Sequence, residues 1–209
     1  PSLRAAKHDA ANGAPPAPGQ AADLSAHLEA EVTNLVKTVE HQRSDEVARA
    51  LRALAHGEKL WVVGFGDDYP LAHFARALLI RVRPDIRMLP IGGFSVPEEF
   101  ASITSADAML AFGVGRRTRA LKNVVRSAQA AGAKVVFVTD LTGALDGEAT
   151  VLRCRTRGLG AFDSFTAAVS LMVFLCSALA NRIGEPAVDR QRVIDEIHAA
   201  WGDLLNQAI

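Results

Sequence analysis

Five short apolar runs, most of them separated by helical patterns, constrain this chain more than anything else in it. They are Leu60–Gly64, Ile86–Leu89, Ala108–Phe112, Lys134–Thr139 and Thr150–Cys154. Nearly unbroken apolar strands are what a sheet covered on both faces requires, and alternation with amphipathic helices makes such a sheet parallel. The helices between them are legible: Leu71, Ala75, Leu78, Leu79 and Val82 form one stripe, and Leu121, Val124, Val125 and Ala128 another. The fifth run differs, because Arg153 and Arg155 alternate with Leu152 and Cys154. Charges so placed mark an edge strand. The expectation is an α/β fold with a five-stranded parallel sheet flanked by helices.

The flanks follow the same logic. Residues 1–22 are polar and alanine-rich, with Pro15, Pro16 and Pro18, and read as a disordered linker. From residue 23 to 209 the pattern is that of one domain. Leu24, Leu28, Val32, Leu35, Val36 and Val39 share one helical face, and Val47, Leu51, Leu54 and Ala55 another, with Ser44 as the expected N-cap and Gly57 as the stop. Two long helices close the chain, about Asp163–Ile183 and Asp189–Gln207. Val193, Ile194, Ile197, Trp201, Leu204 and Leu205 lie on one side of the second, an apolar stripe that favours a homo-oligomer.

Composition narrows the function. A length of 209 residues, 49% hydrophobic, suits one compact domain with a helical extension. The formal net charge of zero argues against this segment being the part of a protein that binds nucleic acid. Cys154 and Cys176 sit in apolar stretches and read as buried free thiols of a reducing, cytoplasmic protein. The apolar stretch Phe165–Ala180 is shorter than the roughly 20 residues a bilayer needs, so a core helix is expected and no membrane partner. The six histidines are scattered, which predicts no metal site. No cofactor is implied.

Two glycine-bearing turns carry the chemistry. The first strand empties into Gly64, Phe65, Gly66, Asp67 and Asp68; the third empties into Gly113, Val114, Gly115, Arg116, Arg117 and Thr118. Strands that end in glycines before a helix present bare backbone N–H groups to a ligand, and two such turns from neighbouring strands converge on one crevice. The first turn is an unusual phosphate cradle. A carboxylate about 5 Å from a phosphoryl charge at an effective dielectric near 20 is repelled by roughly 3 kcal/mol per pair of unit charges, more than a helix dipole offsets. The second turn is unusual structure, since Arg116 and Arg117 oppose the dipole of the helix they precede, and their planar forks suit phosphate or carboxylate oxygens. Ser164, at the start of the late helix, is a further candidate ligand contact, and Asp163 its expected N-cap. Glu98, Glu99 and Asp163 are the candidate proton-transfer bases; Ser95 and Glu98 also have the spacing of a capping box.

The motifs together resemble the sugar isomerase (SIS) domain of RpiR-type transcription regulators, over roughly Leu24 to Ala180. The resemblance rests on Glu31-Val32-Thr33-Asn34-Leu35, Val62-Val63-Gly64-Phe65-Gly66, Ala111-Phe112-Gly113 with Arg116, Thr118 and Arg119, Val138-Thr139-Asp140, and Phe162-Asp163-Ser164. It implies a flavodoxin-like three-layer sandwich, a dimer, and a phosphosugar site at the carboxyl ends of the first and third strands. It also implies a helix-turn-helix DNA-binding domain ahead of this chain, consistent with a start at Pro1. Asp67 and Asp68 stand where the family places hydroxyls in the first loop, and Gly113 and Gly115 where its second loop carries serine and a small or proline residue. The implied function is that of a sensor of a sugar derivative, phosphorylated or not, and not an enzyme. The competing readings are a sugar-phosphate isomerase and a degenerate domain kept for dimerisation.

Overall fold

The computed structural model describes residues 23–92 and 96–202. The expected linker 1–22, the Ser95 capping box and the stripe positions Leu204 and Leu205 lie outside the described residues. The elements, in chain order, are α1 (Leu24–Glu40), α2 (Ser44–His56), β1 (Leu60–Val63), a 3-10 turn (Gly66–Asp68), α3 (Tyr69–Leu79), β2 (Ile86–Leu89), α4 (Val96–Phe100), β3 (Ala108–Gly113), α5 (Arg119–Ala130), β4 (Lys134–Asp140), β5 (Thr150–Cys154), α6 (Thr166–Ile183) and α7 (Glu185–Trp201). All five strands pair in parallel, in the order β2-β1-β3-β4-β5. The reversal of strand order beside β1 is where open α/β sheets form a crevice, outside the strands' carboxyl ends.

Alternation along each strand divides the core in two. Leu60, Val62, Leu110, Phe112, Val136 and Val138 face α2, α3 and α6, whereas Trp61, Val63, Met109, Ala111, Val135 and Phe137 face α4 and α5. A one-residue slip of any inner strand would exchange the two sets, so the register is strongly held. Asp107, just before β3, is buried and accepts hydrogen bonds from the Trp61 Nε1–H at 3.2 Å and from the backbone N–H groups of Lys59 and Thr104. Burial alone would raise its carboxyl; those bonds, with the Lys59 ammonium, hold it below the usual carboxylate range. At the carboxyl end of α2, Arg83 donates to the carbonyls of Leu54, Gly57 and Glu58.

β5 is an edge strand, as its arginines indicate, but its edge is covered. Thr38 of α1 accepts from the Arg155 N–H at 2.9 Å, Gln42 donates to the Arg153 carbonyl, and Asn34 donates to the Arg157 carbonyl at 2.8 Å. Glu31, Asn34 and Thr38 are therefore the buried side of α1. Of its apolar stripe Leu35 packs against the core, while the rest faces outward, with Leu24 at 70% and Val39 at 72% exposed. The polar face wins because an unpaired strand edge supplies backbone groups that only polar side chains can satisfy.

Three helix boundaries differ from expectation. Arg43, not Ser44, occupies the N-cap position of α2, without a side-chain cap bond. Phe165, not Asp163, occupies that of α6, where the Thr166 N–H instead reaches the Ser164 hydroxyl at 3.2 Å. α7 starts at Glu185 and not at Asp189, because Pro186 fits a first helical turn and Gly184 takes the sharp bend at φ 73°. α6 is long and apolar enough by length and composition to cross a membrane. Ala167, Ala168, Leu171, Met172, Leu175, Cys176 and Leu179 nonetheless lie in the core, as the expected core helix requires. Both cysteines are free and buried, and burial pushes each thiol up to about 12.

Candidate functional site

The turns after β1 and β3 meet. A Cβ added at Gly115 would lie 3.1 Å from the Asp67 Cβ, and one added at Gly66 would lie 4.0 Å from the Thr118 Cγ2. The connection after β5 closes the same region, since the Phe165 ring would lie 3.3 Å from that Gly115 Cβ. Two glycines are held by packing. A side chain on Gly113 would meet the Phe137 ring at 2.5 Å, and one on Gly64 the Asp68 carbonyl oxygen at 2.4 Å. Gly66 has φ +61°, a left-handed conformation that glycine adopts without strain.

What joins the turns is Asp68. Its side chain is fully buried, and Oδ1 accepts from the backbone N–H groups of Val114 at 3.0 Å and Gly115 at 3.1 Å. Its Oδ2 is also buried, with no hydrogen-bond partner among the described residues. Burial pushes the carboxyl up to about 6, with a smaller contribution from the Asp67 charge; the two N–H groups and the Arg117 guanidinium pull it down. A folded pKa above the unfolded value means that the protonated form is favoured by folding. That stabilisation is complete below the unfolded pKa near 3.8 and is lost as pH rises through about 6. Relative to Asp68→Asn, the wild-type chain should therefore gain about 1 kcal/mol of stability between pH 7.5 and 5.5. Urea unfolding of both proteins at the two pH values measures it, and a constant difference between them would contradict the burial argument.

Several other candidates are engaged within the protein. Arg117 donates from Nε to the Gly113 carbonyl at 3.0 Å and from Nη2 to the Thr139 hydroxyl at 3.1 Å, and pairs with Asp140, tying β3 to β4. The Thr118 hydroxyl caps α5 by accepting from the Leu121 N–H. The Ser164 hydroxyl donates to Glu31 of α1 at 2.6 Å. Gly66, Asp67 and Arg116 are exposed, with Gly115 partly so. Among the candidate bases, Glu98 and Asp163 are exposed and Glu99 is partly buried. Glu31, Asn34, Thr139 and Asp140 are engaged here without a role among the expected site residues; the signal for α1 is a polar stripe at Glu31, Asn34 and Thr38.

A cavity of 540 Å³ lies elsewhere, between Arg49, Arg52, His56 and Lys134 at the amino ends of β4 and β5. A smaller one of 350 Å³ adjoins Arg117 and Thr118 along α5, with Lys122, Arg126 and Asp146. Volume favours the first. The carboxyl-end crevice is the stronger candidate because there the glycine turns, the backbone donors and the oppositely charged side chains come together.

No protein-family model and no curated protein matches the chain. Solved structures do. The chain is similar to an RpiR transcription factor (sugar isomerase domain) from Sphaerobacter thermophilus, with a TM-score of 0.74 and 23% identity, covering 81% of this chain and 96% of that one. It is similar to the NanR protein of Vibrio vulnificus complexed with ManNAc-6P, at TM-score 0.68 and 17% identity, covering 87% and 70% of the two chains. It is also similar to the phosphoheptose isomerase GmhA of Neisseria gonorrhoeae, at 0.60 and 12%, covering 77% and 96%. The neighbours thus include a transcription factor and isomerases alike. Strand order, helical layers and these likenesses together show that the chain has the SIS fold.

Proposed function

We propose that residues 23–209 are the effector domain of an RpiR-type transcription regulator, with residues 1–22 as its linker. The domain binds a sugar derivative, phosphorylated or not, in the crevice between the β1 and β3 turns. DNA is then read by an N-terminal helix-turn-helix outside this chain. The observation that carries this reading is the way Asp68 is used. Its carboxyl, pushed up by burial, has one oxygen bound to two amides and the other buried. A proton-transfer base must reach the substrate's proton, so this carboxyl holds the two turns together and does not catalyse.

The test is a panel of phosphosugars, neutral sugars and amino sugars read by thermal shift. A true ligand at a hundredfold excess over its dissociation constant adds about 2.7 kcal/mol of stability. Turnover of any sugar phosphate that is lost in Glu98→Gln or Glu99→Gln would instead establish the isomerase reading. The internal engagement of Asp68, Arg117, Thr118 and Ser164 favours, as a second reading, a domain kept for dimerisation; silence of the whole panel would select it.

A dimer is part of the proposal, supported by uncovered apolar surface. Leu24, Leu28, Val32, Val36 and Val39 of α1, Val169, Val173 and Phe174 of α6, and Val188, Val193, Ile197 and Trp201 of α7 are all exposed. The double variant Val32→Glu, Val36→Glu should weaken self-association about a hundredfold or more. Sedimentation equilibrium measures it, and an unchanged dimer would place the interface elsewhere.

A further inference from the structure

Consecutive backbone N–H groups that converge on one oxygen form an anion-binding concavity. Val114 and Gly115, at the carboxyl end of β3, provide such a pair, and the oxygen they hold belongs to this chain's own Asp68. We propose that Asp68 is the resident anion of the crevice and sets its specificity, so that the domain takes non-phosphorylated sugar derivatives and rejects phosphomonoesters. This rests on the sugar-sensing reading above.

Three observations converge on it. First, a phosphate could use the two amides only by displacing a fully buried side chain. Second, it would face the exposed Asp67 beside Gly115 as well as Asp68, while the partly buried Arg117 is already committed to Asp140. Each unit charge pair about 5 Å apart, at a dielectric near 20, lowers affinity by more than about a hundredfold. The exposed Arg116 offsets only part of that. Third, Asp68 Oδ2 is a buried acceptor without a partner among the described residues. Its negative charge is therefore not offset by a donor, which penalises a phosphate dianion nearby and leaves a neutral or ammonium-bearing sugar unpenalised.

Isothermal titration of wild type, Asp68→Ser and Asp68→Asn decides the matter, using inorganic phosphate and pairs of free and phosphorylated sugars, N-acetylmannosamine and its 6-phosphate among them. Asp68→Ser vacates the two amides and should bind inorganic phosphate at least about tenfold more tightly than wild type. Any sugar that binds wild type should bind more tightly in its free form. Wild type preferring the phosphorylated member of a pair, or Asp68→Ser capturing phosphate no better than wild type, overturns the proposal. Should Asp68→Ser fail to fold, Asp68→Asn keeps an acceptor for both amides and removes only the charge, so the preference within a sugar pair should shift toward the phosphorylated member relative to wild type, and an unchanged preference overturns the proposal. If no sugar in either form binds wild type, the sensing reading fails, while the phosphate comparison still settles the role of Asp68.

Discussion

Replacing Arg83 with methionine should destabilise the protein by about 3–5 kcal/mol, roughly 10 °C in melting temperature. Arg83 is 8% exposed and spans three carbonyls, those of Leu54, Gly57 and Glu58. Leu54 lies in the last turn of α2, whose final carbonyls have no partner within the helix and carry the negative end of its dipole. Gly57 and Glu58 are the turn from α2 into β1. Methionine keeps the length of the stem but offers no donor, so buried acceptors lose their bonds together. Arg83→Lys should recover only part of the loss, since one ammonium cannot reproduce the fork. Urea unfolding of the three proteins checks this, and a loss below about 1 kcal/mol in Arg83→Met would show that water replaces the guanidinium.

Gly64→Ala should lower stability by about 1–3 kcal/mol and remove any ligand response measured in the wild type. The added methyl would lie 2.4 Å from the Asp68 carbonyl oxygen and 2.8 Å from the Ala72 Cβ, and neither belongs to a flexible side chain. Relief requires moving the β1 turn away from α3. Asp68 then leaves the Val114 and Gly115 amides, and the two turns lose the bond that sets their spacing. Loss of stability with ligand response intact would mean that the crevice tolerates a shifted first turn. No loss of either would mean that the close approach at Gly64 is not maintained in solution.

Much of this architecture is legible in the sequence. The β2 and β5 runs match the observed strands in full, and those of β1, β3 and β4 are within one residue. Inner parallel strands are buried on both faces, so their apolar runs have no exposed positions to blur them. The meeting of the Asp67–Asp68 turn with the Arg116–Thr118 turn was legible too, because strand-end glycines at a switch in strand order leave few other arrangements. Helix starts were less readable. Asp163 and Ser44 are good cap residues by type, yet Phe165 and Arg43 take the cap positions; at α6 the Ser164 hydroxyl, tied to Glu31 by a tertiary contact, accepts from the Thr166 N–H.

The orientation of α1 shows what periodicity alone leaves open. A helix with an apolar stripe and a polar stripe can bury either, and the choice depended on β5 needing partners for its open edge. The same holds in the crevice. That Asp68, Arg117, Thr118 and Ser164 lie near the strands' carboxyl ends follows from the order of residues along the chain. Whether each side chain turns outward to a ligand or inward to a neighbour depends on which backbone donors and acceptors the packed turns leave unsatisfied. Fold class and the placing of the crevice were thus written in the spacing of apolar residues and glycines, which are local properties. The commitment of Asp68 to the β3 amides arose only when distant segments met, because a buried carboxylate must find its hydrogen bonds wherever the fold brings them.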